Sequence, residues 1–530
     1  MSTLTGTGTL LRLAWRRDRV LIPVSLVALT ALSVGSAQAT LDLYPTDEAA
    51  RDGLGAVLAN PSIIAMYGPI GAENRDALSV FKTVLMGAVF VGLLAYAVVR
   101  RHTRVEEEVG RLELVGAGVV GRRAPLTAAM TLAALAVVCA GLLTSAGLIT
   151  AGLDVSGSLA MGVAWIIAGL AMVGITAVAA QLTASARACA GIALGALATM
   201  FVLRAVGDTA GGAAAVVSWA SPLGWASKVG AYGDNRVWIL GPALALSAAL
   251  VALAFSLLDR RDVGSGLLPA RPGPARAGAG LGSPTGLVWR LVRPTAIGWL
   301  AAFVILGGVL GGLVSSAADM ASDPSVVDLL TKLGGSAGTI TDIFLATELA
   351  FVAVAAAAAG ISVALRLASE ERSGRGEPVL ASATSRSAWL RAHALHAFSL
   401  PAALLLSLGV VVALVSGGKG DAPGLGALVG ASAARLPAVA VMVAVALLAA
   451  AAVPTWAPAI GWGSLAVAFG LGELGVTIGL PDWLVTVSPF AHVPPLPGGE
   501  WSAASTVVML GIAAALTAAA FVAYRLRDAA

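Results

Sequence analysis

The sequence predicts an all-α integral membrane protein of twelve transmembrane helices, built as two pseudo-symmetric six-helix halves, and three observations carry that prediction. Of its 530 residues, 58% are hydrophobic and 12% charged, where an ordinary soluble domain has about 45–50% apolar and about 25% charged residues. The apolar residues fall into separate runs, each of the roughly 20 residues needed to cross about 30 Å of hydrocarbon. A charged island, Glu106-Glu107-Glu108-Val109-Gly110-Arg111-Leu112-Glu113, lies between two of these runs and returns 264 positions later as Glu370-Glu371-Arg372-Ser373-Gly374-Arg375-Gly376-Glu377. At that one offset Glu106 meets Glu370, Glu107 meets Glu371, Gly110 meets Gly374, Arg111 meets Arg375, Glu113 meets Glu377 and the later Arg122 meets Arg386, which marks an internal duplication.

The first half, residues 1–258, opens on a lead-in helix at 5–19. There Leu10, Leu11, Leu13 and Trp15 mix with Arg12, Arg16, Arg17 and Arg19 in the manner of an amphipathic helix lying on the membrane surface. Span one follows at about 20–39. Its basic front and Ala37-Gln38-Ala39 tail imitate a secretory signal, but the run is longer than a signal core and reads as an uncleaved helix. Residues 40–80 form a polar outer loop carrying Asp42, Asp47, Glu48, Asp52, Glu73 and Asp76, with a short helix around 53–66. Span two, about 81–99, leads into the first island, expected as a helix over 103–115. Spans three (125–148), four (159–182), five (190–206) and six (237–258) follow, with Trp219-Ala220-Ser221-Pro222-Leu223-Gly224-Trp225 in the outer segment before span six.

Residues 259–285 hold Arg260, Arg261, Arg271 and Arg276 among Gly, Pro and Ala, and read as a flexible cytoplasmic linker. The second half, 286–530, repeats the plan. A lead-in helix at 284–295 carries Trp289, Arg290 and Arg293, and spans seven (296–314) and eight (344–365) bracket a shorter outer loop. The second island is expected as a helix over 367–381, followed by spans nine (398–416), ten (436–453), eleven (457–476) and twelve (504–524). Before span twelve, Ser488-Pro489-Phe490 matches Ser221-Pro222-Leu223 at offset 267.

Counting Arg and Lys in alternate loops places both termini and both islands in the cytoplasm. On that side lie 24 of the 33 basic residues; Arg51, Arg75, Lys82, Arg204, Lys228, Arg236, Lys332, Lys419 and Arg435 lie outside or near outer span ends. Scattered at span ends rather than massed, these charges set topology, so the net charge of +4 does not indicate nucleic acid. Only four of them are lysines, a usage that, with the excess of Ala and Gly, points to a GC-rich bacterial genome, so the membrane is expected to be a bacterial plasma membrane. Cys139 and Cys189 sit in or beside apolar runs and indicate neither a disulfide framework nor a metal site. A P-loop needs Gly-Lys followed by Ser or Thr, and the only lysine preceded by glycine is Lys419, followed by Gly420. The chain therefore lacks a standard nucleotide loop of its own. His102, His393, His396 and His492 are the only histidines and form no HExxH motif, which argues against a zinc hydrolase.

Within the first island, Val105, Val109 and Leu112 fall at i, i+4 and i+7, giving a helix with an apolar stripe and a charged rim suited to a groove on another protein. A solvated loop that fixes topology is the plain alternative, but topology needs positive charge and not a repeated carboxylate pattern.

The Glu-Glu-x-x-Gly-Arg-x-Glu island after span two of each half, with Arg386, Trp389 and His393 downstream in the second, resembles the type-2 ABC exporter permeases of the fused twelve-span kind, described as polyketide-antibiotic or drug exporters. Ser-Pro-Leu-Gly-Trp at 221–225 and Ser-Pro-Phe-Ala-His at 488–492 are similar to that family's outer segments before the last span of each half. The resemblance implies that Glu106, Glu107, Gly110, Arg111 and Glu113, and Glu370, Glu371, Gly374, Arg375 and Glu377, belong to coupling helices that contact two copies of a separate ATP-binding subunit. It implies that ATP and Mg²⁺ are bound there and that this chain holds no cofactor, and that the cargo is a hydrophobic small molecule. The first copy departs from the pattern in having Leu114-Val115 where the second has Pro378-Val379, and in lacking a Trp after Arg122, so the two docking sites are expected to be unequal.

An ionisable group at a helix centre costs about 2.5–3.5 kcal/mol on insertion scales, which singles out those inside spans. Glu348 lies one turn into span eight and Lys82 at the outer start of span two; in the resembled family these spans face each other, implying a Lys82–Glu348 contact at an outer gate. Arg204 and Glu473, near the outer ends of spans five and eleven, make a second such pair, and snorkelling to the headgroups is the simpler account of both. Phe90, Met200, Phe201, Phe351, Trp462 and Phe469 lie on the spans expected to line the path; Met and aromatic faces suit varied apolar cargo and equally serve helix packing.

Two other classes share parts of this pattern. A proton-driven major-facilitator antiporter also has six plus six spans, but its loop after span two typically reads Gly-x-x-x-Asp-Arg-x-Gly-Arg-Arg, whereas here carboxylates lead. A polytopic glycosyltransferase using a lipid-linked sugar would need catalytic acids such as Asp42 and Asp52, which read more simply as solvated loop charges.

Overall fold

The computed structural model describes residues 2–58, 61–209, 212–268, 275–321, 337–417, 423–474 and 481–527. Among them eleven helices are long and apolar enough to cross a membrane. Spans one to six are Leu21–Leu43, Arg75–Arg100, Ala124–Thr150, Val155–Leu182, Ala186–Thr209 and Leu240–Asp259. Spans seven to ten and span twelve are Pro284–Ala321, Ala337–Arg372, Arg386–Ser416, Leu436–Ala452 and Ala503–Leu526. The eleventh expected span appears as a shorter helix, Ala457–Phe469, running into a π-helical turn, Gly470–Leu474. Its far end lies outside the described residues, as do Arg271, Lys332, Lys419 and the side chain of Glu473.

Spans two, four, nine and twelve begin at polar caps that lie before the apolar runs that betray them. The side chains of Asn74, Asp154, Ser385 and Ser502 accept from the backbone N–H of Ala77, Gly157, Ala388 and Ser505, satisfying donors that a helix N-terminus otherwise leaves open.

The chain divides into two compact units, Met1–Gly273 and Pro274–Ala530, with the boundary inside the expected linker. Each unit has its own apolar core, and the two are packed by the same scheme. Span four is the hub of the first, against spans two, three, five and six; span ten is the hub of the second, against eight, nine, eleven and twelve. Span one lies on two and three, and span seven on eight and nine. Lipid supplies no hydrophobic drive for such packing, so close approach through small residues does. A methyl on Gly162 would meet the carbonyl oxygen of Gly141 at 2.6 Å, and one on Gly360 would meet Val443 and Pro401 at 2.5 and 2.7 Å.

Four local expectations change. The first lead-in helix, Thr7–Asp18, is separate from span one, but the second is not: Pro284–Ala321 is one helix with Pro294 inside it, so the expected break near 295 is absent. The first outer loop folds as two helices, Asp47–Leu58 and Pro61–Tyr67, rather than one around 53–66. Neither island is one helix, as described below. The start of the linker is not free chain: Leu267 and Leu268 donate their N–H groups to the carbonyls of Gln181 and Leu182, and Arg261 is buried.

Candidate functional site

The islands share one geometry. Span two continues through a π-helical turn, Arg101–Val105, and Glu106–Glu108, and then stops at Gly110, whose φ of 74° is left-handed; a short helix, Arg111–Gly116, follows. Span eight runs to Arg372, Gly374 adopts φ 67°, and Glu377–Leu380 follows. A methyl at either glycine would meet nothing within 4 Å, so conformation and not space selects glycine at both breaks. The break also dissolves the predicted stripe. Leu112 and Val115 face Leu10 and Leu13 of the lead-in helix across a cavity of about 50 Å³, whereas Val109 and Leu114 are 56% and 79% exposed.

The island carboxylates divide by role. Glu106 pairs with Arg17 of the lead-in helix at 2.8 Å and with Arg111, across the glycine, at 3.3 Å. By accepting its hydrogen bond, Glu106 raises the Arg17 guanidinium above its ordinary value. Glu370 likewise pairs across its glycine with Arg375 at 2.9 Å, and with Arg366 at 3.3 Å. Glu107 is buried and takes Arg261 in both carboxylate oxygens, at 2.5 and 3.0 Å, together with Arg104 at 3.1 Å and the N–H of Gly264 at 2.7 Å. Glu371 is held by Arg527. Glu108 accepts the N–H of Ala186 at the start of span five, at 2.8 Å. Glu113 and Glu377 are exposed, as are Arg111 and Arg375 over more than half of their side-chain surface.

By sequence alone Arg261 and Arg527, both at cytoplasmic span ends, read as topology charges. The available signal was that each lies just past the last span of its half, at nearly the offset that relates the islands. Also missed was a cluster confined to the first half: Asp18, fully buried, lies 2.6 Å from His102 and 2.8 Å from Arg101. The second half instead stacks Trp289 on His396, with ring centroids 5.8 Å apart, and sets the rings of Trp389 and His393 edge to face at 4.5 Å.

At the far end of each half the repeated Ser-Pro closes the segment back onto the bundle. Ser221 donates to the carbonyl of Met200 and Ser488 to that of Ala468, both at 2.7 Å. Arg204 has its side chain wholly inside the first half. It lies 3.7 Å from Asp208, donates to the carbonyls of Ile64 and Ala65 and stacks on Phe201 at 4.6 Å. Lys82 is exposed on span two and Glu348 half-buried on span eight. Of the path residues, Phe351 and Phe469 meet edge to face at 5.9 Å. Met200 is buried, while Phe90, Phe351 and Trp462 are exposed.

Apolar spans in two like-packed units, each bearing an ion-paired island, define a polytopic membrane protein that is helical throughout its membrane-length elements among the described residues. A family model described as multidrug efflux system permease Rv1217c, C-terminal domain, matches residues 281–525. Over 534 residues the chain is 38% identical to the multidrug efflux system permease protein Rv1217c of Mycobacterium tuberculosis, covering 99% of this chain and 96% of that protein. The chain belongs to this family of ABC-type multidrug efflux permeases.

Proposed function

We propose that this chain is the membrane subunit of an exporter that moves hydrophobic small molecules out across a bacterial plasma membrane, with both termini and both islands in the cytoplasm. Two copies of a separate ATP-binding subunit, holding ATP and Mg²⁺, dock on the islands and drive the change of access. The observation that carries this reading is the duplicated island. In each half an αL glycine leads into a short helix, which presents Glu113 and Leu114 in one copy, beside the exposed Val109 that precedes the glycine, and Glu377 in the other, in a chain with no P-loop of its own. Since Glu107 and Glu371 are committed to arginines of their own halves, docking falls to these exposed residues.

The test is purification of the chain from its native host. An ATP-binding subunit is expected to accompany it, and the pair Leu114→Asp and Glu377→Lys to release that subunit while the chain itself stays folded. Retention of the subunit and of drug efflux in this double variant refutes the docking face. The Lys82–Glu348 gate is a separate part of the proposal: Glu348→Gln is expected to change drug-stimulated ATP hydrolysis by the complex, and an unaltered drug response removes it.

A further inference from the structure

The same three-way joint occurs once in each half, built on the arginine just past the last span. In the first half Arg261 binds Glu107 of the island through both carboxylate oxygens, its Nε donates to Gln181 Oε1 at the end of span four at 2.8 Å, and its carbonyl accepts from Arg122, at the start of span three, at 2.5 Å. In the second half Arg527 binds Glu371, its Nη1 reaches the carbonyl of Ala450 at the end of span ten at 3.5 Å, and its carbonyl accepts from Arg386, at the start of span nine, at 2.5 Å. Island, third span, fourth span and last span thus meet on one residue, twice. The flanking sequences share little, Leu258-Asp259-Arg260-Arg261 against Tyr524-Arg525-Leu526-Arg527.

A topology signal does not require this wiring. Positive charge near a span end suffices for orientation, and an ion pair withdrawn from water is retained at a cost unless its hydrogen bonds are complete. A second set of pairs continues the joint outward, since Arg111 to Glu106 and Arg375 to Glu370 each bridge the αL glycine, tying the short helix in the first half, and the turn that leads into it in the second, to the span before.

We infer that Arg261 and Arg527 are positioning residues that clasp each island to the last span of its half, so that a push on the exposed short helix moves island, last span and start of the third span as one body. The inference rests on the docking proposed above and names the route by which that docking reaches the spans. The bridge across the glycine carries displacement from the short helix to the island carboxylates, and the clasp carries it on to the bundle. Without the clasp, the first island keeps its bonds to the lead-in helix, to the start of span five and to the Gly264 N–H but loses its side-chain tie to the end of the last span, and a pushed helix bends at the glycine.

The second half offers the better test, because the side chains of Arg527 and Glu371 retain 23% and 19% of their exposure and tolerate substitution more readily than the buried Glu107 site. In the complete transporter, Glu371→Arg and Arg527→Glu are each expected to lower drug exported per ATP hydrolysed about tenfold, within the range that a coupling free energy between sites spans. The double swap Glu371→Arg/Arg527→Glu is expected to restore it. Single variants that export normally, or that lose the ATP-binding subunit on purification, overturn the clasp; the second outcome would place Glu371 in the docking face itself. Independently, Glu371→Cys/Arg527→Cys, in a chain with Cys139 and Cys189 replaced by Ala, is treated with a short bifunctional thiol reagent. Drug efflux from cells is expected to be low before cross-linking and to recover when the cross-link replaces the ion pair, and efflux that is normal beforehand or fails to recover overturns the one-body joint. This last arm reads efflux alone, so it decides the clasp even if no ATP-binding subunit is found and the docking proposal fails.

Discussion

Arg261→Ala is expected to lower the stability of the first half by about 3 kcal/mol, the lower end of what removing one partner of a buried ion pair costs. The loss is large because the Glu107 carboxylate cannot move into water: its side chain is 3% exposed and that of Arg261 6%. It falls short of the upper limit because Arg104 and the Gly264 N–H still serve the carboxylate. Gln181 Oε1 loses its donor as well, worth about 1 kcal/mol if water does not replace it, whereas the carbonyl of Ser265 keeps Arg104 at 3.1 Å. Arg527→Ala removes the equivalent bond where water can reach both partners, and is expected to cost only about 1 kcal/mol. Thermal unfolding of the purified chain in detergent separates the two, and equal shifts for both variants would show that burial is not what sets the first clasp apart.

The second large effect is expected at Arg204. Arg204→Met keeps the volume and removes the guanidinium, leaving Asp208 with Lys228 at 3.7 Å and the hydroxyls of Ser218 and Ser227 at 2.7 and 3.2 Å. The carbonyls of Ile64 and Ala65 lose their donor, so the helix Pro61–Tyr67 loses its anchor to span five. A cost of about 2–4 kcal/mol follows from breaking a buried charge pair together with two carbonyl bonds. Arg204→Lys is not expected to rescue it, since an ammonium cannot span both carbonyls and the carboxylate as a planar fork does. Limited proteolysis should show earlier cutting near residues 45–70. Lys82→Met, on the exposed face of span two, serves as the comparison with an expected shift within about 0.5 kcal/mol, and an Arg204→Met shift no larger than that would remove the anchor.

Much of the architecture was legible because its causes are local. Apolar runs of span length, arginines at alternate ends and a carboxylate pattern repeated at one offset follow from the cost of placing polar groups in hydrocarbon, and that cost is read residue by residue. The αL glycines were legible as part of the repeat but not as breaks, because a left-handed φ is a backbone state that Gly110 and Gly374 permit without requiring. The second lead-in helix was misjudged for another reason. Its expected boundary follows from the plan of the first half, whereas Pro284–Ala321 packs along spans eight and nine as one helix that carries Pro294 inside it.

By itself the sequence determined the membrane class, the duplication, the approximate position of the eleven membrane-length helices among the described residues and the two islands as charged breaks between them. Only the tertiary structure decided what the charges inside those islands do. Glu106 and Glu107 are neighbours of like charge and composition, yet one bridges a glycine and the other is clasped by an arginine 154 residues away. A carboxylate's role depends on which cation the fold brings within about 3 Å, and that distance is set by the packing of spans four and six rather than by anything adjacent in the chain.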